Sequence, residues 1–255
     1  MTQESSDLER IQAALERARD VLTTIRAGAL HVEQKTGGDP VTEADRAVDV
    51  ALRETLVRPG EGWLSEETAD DLARLDARRV WVADPLDGTR EFVAGIPEWC
   101  VSVGLVVNGA PVAGGVVNPV TGETVLGARG AGVRYNGGSV TLQPRQELRG
   151  SLVLASRSEV NRGEWRRFEG APFTIRAVGS VAYKLALVAS GLADATWTLV
   201  PKHEWDVAAG VALVRAAGGD VGSLDGTPLA FNRPTPLLPG LMPAIRRFLA
   251  AQSLR

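Results

Sequence analysis

The chain has 255 residues, 44% hydrophobic and 23% charged, enough to bury a sizeable core in one large domain or two coupled halves. A formal net charge of −3 argues against the broad basic face that a nucleic-acid polymer demands, so an anion bound here is met locally by cations, helix ends or metal ions. The one cysteine, Cys100, excludes an internal disulfide, and two histidines, His31 and His203, argue against a histidine-built zinc site.

The N-terminal residues are polar and mixed in charge, with no secretory signal, and the longest apolar stretch, Val101 to Val117, is split by Asn108-Gly109. A cytoplasmic protein with no membrane span is the expectation. Leu8, Ile11, Leu15, Ala18, Leu22 and Ile25 alternate steps of three and four with charges between them, which predicts an amphipathic helix laid on a core. Gly37-Gly38 and Pro40 interrupt the chain before a second helix predicted over Thr42 to Leu56. A short apolar run, Trp63-Leu64, then leads into the adjacent acids Glu66 and Glu67.

From Val80 to about Val140 the signals are strand and turn throughout: Val80 to Ala83, Trp99 to Val107, Val112 to Val117 and Thr124 to Leu126. Asn108-Gly109 between two apolar runs predicts a type I′ hairpin within this antiparallel meander. Past Pro144 the rhythm changes. Strands (Ser151 to Ala155, Phe173 to Val178) alternate with helices (Val181 to Ala189, Trp205 to Ala217), the last closed by Gly218-Gly219. The change divides the chain into residues 1–145, helices with an antiparallel sheet, and 146–255, an α/β half. Prolines from Pro234 to Pro243 mark a loop before a short final helix.

Acidic residues gather at the element junctions. Asp84 and Asp87 end a strand, three positions apart across Pro85-Leu86; Glu66-Glu67 follow an apolar run; Asp39 and Asp45 flank a helix start; Asp206 sits in the first turn of another helix. Each has a structural reading too: Thr42 and Asp45 make a capping box, Asp206 suits a helix dipole, Glu66-Glu67 can be solvated, and Asp84-Pro85 can be a plain turn. Two carboxylates about 4 Å apart repel by about 4 kcal/mol at an effective dielectric of about 20, so a gathered cluster requires cations or disperses into solvent. An all-oxygen set with a turn carbonyl suits Mg²⁺ bridging protein to phosphate.

The stretch DPLDGTREF, Asp84 to Phe92, resembles the D-P-[IL]-D-G-T-x-x-F signature of the inositol monophosphatase family of Mg²⁺-dependent, lithium-sensitive phosphatases. Trp205 to Gly210, WDVAAG, resembles the second family signature. LSEET at Leu64, DPVTEAD at Asp39 and VGSVAYKLALVASGLADA at Val178 are similar to further family segments, in family order. The spacing of Asp84 and Asp87 departs from the D-x-D of haloacid-dehalogenase-type phosphatases, and no P-loop is present.

The resemblance implies a layered α-β-α-β-α sandwich with the site where the two halves meet, two or three Mg²⁺ ions, and a homodimer. It places Glu67, Asp84, the Leu86 carbonyl, Asp87 and Asp206 as metal ligands. Thr89 and Asp45 would share the hydrogen-bond relay that orients the attacking water, with Glu67 helping to place a third ion. Gly88 and Thr89 would offer backbone N–H groups to the phosphate, with Ser180 and Lys184 as further substrate contacts. Lys184 also reads as a solvated helix lysine, and Lys35 is a similar case.

The substrate implied is a small phosphorylated metabolite. Family members act on inositol monophosphates, 3′(2′),5′-bisphosphate nucleotides or fructose 1,6-bisphosphate. DPLDGTREF leans to the nucleotidase form, and Thr198-Leu199 stand where inositol enzymes carry a sugar-binding glutamate; the nearest acid is Glu204. Nucleotidases often have an arginine in that stretch, where this chain has only Lys202. Trp197 and Trp205 read either as base-stacking or as core packing. An inactive phosphate-binding homologue is the non-enzyme reading, though every ligand position is filled.

Overall fold

The computed structural model describes residues 3–25, 32–34, 40–143, 147–223, 227–238 and 240–244. Lys35, Asp39, the Thr42 side chain and the expected final helix lie outside the described residues and side chains. The first half opens with helix α1 (Gln3–Thr24), the ribbon β1 (Val32–Gln34) with β2 (Pro40–Thr42), and helix α2 (Glu43–Leu56). Strands β3 (Gly62–Ser65) and β4 (Arg79–Asp87) follow, then a short helix α3 (Thr89–Val93). Strands β5 (Cys100–Val107), β6 (Ala110–Asn118), β7 (Glu123–Ala128), β8 (Gly132–Tyr135) and β9 (Gly138–Ser139) complete a seven-stranded sheet in sequential order.

The second half runs β10 (Leu152–Ser156), α4 (Arg157–Asn161), β11 (Thr174–Val178), α5 (Val181–Ala189), β12 (Ala195–Thr196) and β13 (Lys202–His203). Then come α6 (Glu204–Ala216), β14 (Asp220–Ser223), β15 (Leu237–Leu238) and β16 (Leu241–Ala244). Five strands form a second sheet in the order β11-β10-β12-β16-β14, while β13 and β15 pair alone.

Strand periodicity builds the layers. On β4, Trp81 and Ala83 face one side of the large sheet and pack with Ile11 and Leu15 of α1 and Val48 and Leu52 of α2. Val80 and Val82 face the other side and meet α5 and α6. Burial on both faces explains why this run carries no polar alternation. Leu154 of β10 joins the same inner core, whereas Val153 and Ala155 face outward into an aromatic cluster of Trp165, Phe168, Phe173 and Trp197. The order of layers is therefore α-β-α-β-α.

Helix α6 sits unusually close to the large sheet because glycines face it. A Cβ on Gly114 would lie 2.5 Å from the Ala209 carbonyl oxygen, and one on Gly104 would lie 2.8 Å from the Ala209 nitrogen. Gly210, the glycine of WDVAAG, meets Leu185 of α5 in the same way, at 2.3 Å. We predict that Gly114→Ala destabilises the chain by about 1–3 kcal/mol in chemical unfolding. An unchanged midpoint would mean that α6 yields at this contact.

Three regions differ from the sequence-based expectation. Helix α3 occupies part of the span read as strand and turn; Gly88, at φ 97°, breaks the strand and Phe92 anchors the helix edge-on against Trp99 at 4.9 Å. The large sheet is antiparallel except at its edge, where β3 runs parallel to β4 after a crossover through residues 66–78. Strands β15 and β16 form within the proline-rich tail, Pro243 pairing with Val221 of β14. The Asn108-Gly109 hairpin has positive φ at both residues, as a type I′ turn requires. Among the described residues no helix is long and apolar enough to cross a membrane.

Candidate active site

A cavity of about 350 Å³ opens at the C-terminal end of β4, between the two halves of the sandwich. Its lining includes Glu66, Asp84, Asp87 and Asp206 together with Arg157, Arg162, Lys184 and Lys202. In a regular strand, residues three positions apart point to opposite faces, so Asp84 and Asp87 ought to diverge. The register prevents this. Asp84 pairs with Ser102 but Asp87 with Cys100, so one extra residue is accommodated across Pro85-Leu86, where Pro85 has no N–H to offer the ladder. The bulge corrects the parity, and both acids line the cavity.

Local hydrogen bonds hold the turn. The Leu86 N–H donates to Asp84 Oδ1 at 3.0 Å, and Thr89 Oγ1 donates to the Leu86 carbonyl at 3.1 Å. Gly88, in left-handed geometry, caps α3, and a Cβ there would press on Trp99 at 3.0 Å. Asp87 Oδ2 accepts from Ser180 Oγ at 2.7 Å and from the Ala182 N–H at 2.6 Å, which ties the turn to the start of α5. Glu98 accepts from the Gly179 N–H at 2.8 Å and from Arg157, a second tie across the halves.

The remaining predicted residues fall as follows. Asp206 accepts from the His203 N–H at 2.9 Å, the backbone half of a capping box, and also faces the cavity. The capping contact therefore leaves it on the cavity wall. Asp45 is buried in the first turn of α2, beside Ala44, which packs on Leu86 and Trp99. Among the described residues it is not part of the cavity wall. Of the adjacent acids, Glu66 lines the cavity and bears on Asp84 and Asp206, whereas Glu67 is not among the described lining residues. Ser180 is buried, its hydroxyl shared between Asp87 and the Tyr183 N–H at 3.0 Å.

Lys184 is not a solvated helix lysine. It is 1% exposed, donates to the Ser180 carbonyl at 2.8 Å, and reaches the cavity wall. Burial pushes its ammonium down to about 8, against the opposing pull of Asp87. Trp197 stacks on Trp165 at 5.2 Å in the outer aromatic cluster, so it packs and does not face substrate. Trp205 stacks on His203 at 4.3 Å on the cavity wall. Glu204 is fully buried and accepts from the Asn232 and Arg233 N–H groups at 2.8 and 2.9 Å, so it points away from the cavity.

Sequence reasoning missed Asp49, four residues after Asp45 on the same face of α2. It is buried and accepts from Ser65 Oγ and from Thr68 Oγ1, the latter at 2.6 Å, and so pins the turn that carries Glu66. A second acid at i+4 on a helix that begins beside the site was the available signal.

The electrostatics favour cations. Burial first, then the charges of Glu66, Asp87 and Asp206, push Asp84 well above the ordinary carboxylate range. Burial and Asp87 push Asp206 up to about 7, with Lys202 opposing. Among the described residues no three acidic, histidine or cysteine side chains are gathered closely enough to enclose an ion, so the acids ring the cavity without closing on a point. The donor set is nevertheless all oxygen, held on a strand end and a helix start, and bound divalent cations would relieve its mutual repulsion. Such a set suits a hard ion with retained waters.

The sequence profile of the inositol monophosphatase family matches residues 4–252. The chain belongs to the inositol monophosphatase family. An inositol-1-monophosphatase of Mesorhizobium japonicum is 35% identical over 226 residues, covering 85% of this chain and 84% of its own length. The inositol monophosphatase of Anabaena superposes with a TM-score of 0.77 at 30% identity, over 96% of this chain and 92% of its own. CysQ from Bacteroides thetaiotaomicron, a bacterial member of the family, superposes with a TM-score of 0.74 at 28% identity, over 95% and 98%. Members of the inositol monophosphatase family are phosphoric monoester hydrolases and generally metal-dependent, and this chain is an enzyme of that class.

Proposed function

We propose that the protein is a Mg²⁺-dependent phosphomonoesterase whose substrate carries a second anionic group, with a 3′(2′),5′-bisphosphate nucleotide favoured. The observation that carries this reading is the mixed lining of the cavity, in which four cations, Arg157, Arg162, Lys184 and Lys202, accompany the carboxylates. Glu66, Asp84, Asp87, Asp206 and the Leu86 carbonyl would hold two or three ions. When bound, the ions would supply Lewis acidity, activation of water and charge neutralisation at the phosphate. Thr89, seated on the Leu86 carbonyl, would orient the attacking water, and buried Asp45 would share in that relay. Gly88 and Thr89, at the turn into α3, would offer backbone N–H groups to the phosphate.

The basic lining residues have capacity to spare. The Nε of Arg157 is buried, 3.9 Å from Glu91, and donates no hydrogen bond within the protein. Lys202 lies near enough to Asp206 to lower its pKa. A second phosphate bound at these cations would meet donors that a single phosphate at the carboxylates leaves unused. Inositol 1-phosphate is the second reading, favoured by relatives named as inositol monophosphatases. Against it, Leu199 stands at the sugar-binding glutamate position of the inositol enzymes, its N–H bonded to Glu159 at 2.9 Å, and Glu204 is committed elsewhere.

The test is phosphate release with Mg²⁺ from 3′-phosphoadenosine 5′-phosphate, inositol 1-phosphate and fructose 1,6-bisphosphate. The expected kcat/KM for the nucleotide is about ten-fold or more above that for inositol 1-phosphate, the worth of one charged hydrogen-bonded contact. A preference for inositol 1-phosphate would overturn the second-anion reading.

A further inference from the structure

Ser180 stands at the N-cap of α5 with φ 51° and ψ 127°. A non-glycine residue at positive φ is uncommon and strained, and such strain concentrates where function requires it. Ordinary capping does not call for it, since a capping serine normally sits at extended φ. The preceding residue, Gly179, is tied down for another reason: a Cβ there would lie 2.5 Å from the Glu91 side chain. The strain at Ser180 places its hydroxyl 2.7 Å from Asp87 Oδ2, beside the Ala182 N–H at 2.6 Å. Cys100 Sγ closes the other side at 3.4 Å.

We propose that Ser180 is a positioning residue for Asp87, and the proposal rests on the reading of Asp87 as an ion ligand. Two donors on Oδ2 fix the rotation of the carboxylate. One oxygen is spent on α5, and the other is held toward the cavity for a divalent cation. A carboxylate with one donor would turn about its terminal bond and present either oxygen at changing angles. The strained backbone is the means by which a residue of the second half aims a ligand of the first, so cation binding and the seating of α5 are coupled.

Two variants of the full chain separate this role from helix capping, read by Mg²⁺ titration calorimetry without substrate and by thermal unfolding. Ser180→Gly removes the hydroxyl and relieves the strain, because glycine accepts φ 51°. Ser180→Ala removes the hydroxyl and keeps the strain. Both are expected to bind Mg²⁺ about ten-fold or more weakly than the parent, the loss of a hydrogen bond to a charged group. Ser180→Gly should melt no lower than the parent, and Ser180→Ala should melt lower. Parental Mg²⁺ affinity in Ser180→Gly overturns the proposal. A melting loss in Ser180→Gly equal to that in Ser180→Ala overturns it too, since the serine would then be an ordinary cap. A parent chain that binds no Mg²⁺ defeats the ion-ligand reading itself, and the proposal with it.

Discussion

Asp87→Asn is expected to lower phosphate release by about a hundred-fold or more while leaving the melting temperature close to that of the parent. The side chain keeps its size and one acceptor oxygen. That oxygen can still receive the Ser180 hydroxyl at 2.7 Å and the Ala182 N–H at 2.6 Å, so the start of α5 stays seated. The other oxygen becomes an NH₂ group, a donor with no ability to ligate a cation. Changing even an outer-sphere partner of a metal ligand commonly lowers activity by about 10–100-fold, and Asp87 is proposed as a ligand itself. Stability is spared for a further reason. Asp87 raises the pKa of both Asp84 and Asp206 by repulsion, and its neutralisation relieves both. Phosphate-release assays beside thermal melts measure the two halves of the expectation. Turnover within about ten-fold of the parent would remove Asp87 from the ion site.

The second large effect separates two neighbours that sequence alone does not tell apart. Glu66→Gln is expected to lower turnover about a hundred-fold or more, and Glu67→Gln to leave it within about three-fold of the parent. Glu66 lines the cavity and its charge bears on Asp84 and Asp206. The Glu67 N–H turns toward Ser65 Oγ at 3.3 Å, in a turn that Asp49 pins through Ser65 and Thr68. Successive residues in such a turn point in different directions, so the ligand role cannot pass freely from one to the other. The opposite pattern of losses would restore Glu67, the ligand expected from the motif, and would require a rearranged turn.

Much of the fold was legible because the apolar spacing is regular. The three-and-four rhythm from Leu8 predicted α1, and Asn108-Gly109 predicted its hairpin. Elements governed by tertiary contacts were not legible. Helix α3 forms where Phe92 finds Trp99, and β3 joins the sheet in parallel only because the 66–78 crossover returns it beside β4. The strands in the proline-rich tail depend on β14 and β13 as partners. No local propensity carries that information.

The candidate site divides in the same way. The sequence by itself determined the chemical inventory: oxygen-bearing side chains at strand and helix ends and a turn with Pro and Gly. Those follow from residue type and short-range spacing, which the chain carries wherever it folds. Tertiary structure alone decided which acids share a cavity. The register shift between Asp84 and Asp87 brought both to one cavity, α6 delivered Asp206 to it, and Glu66 joined the lining where Glu67 did not. It also decided that Lys184 is buried and that Ser180 grips a carboxylate. Burial, parity and hydrogen-bond partners are properties of contacts between distant segments, and those contacts exist only once the two halves have packed.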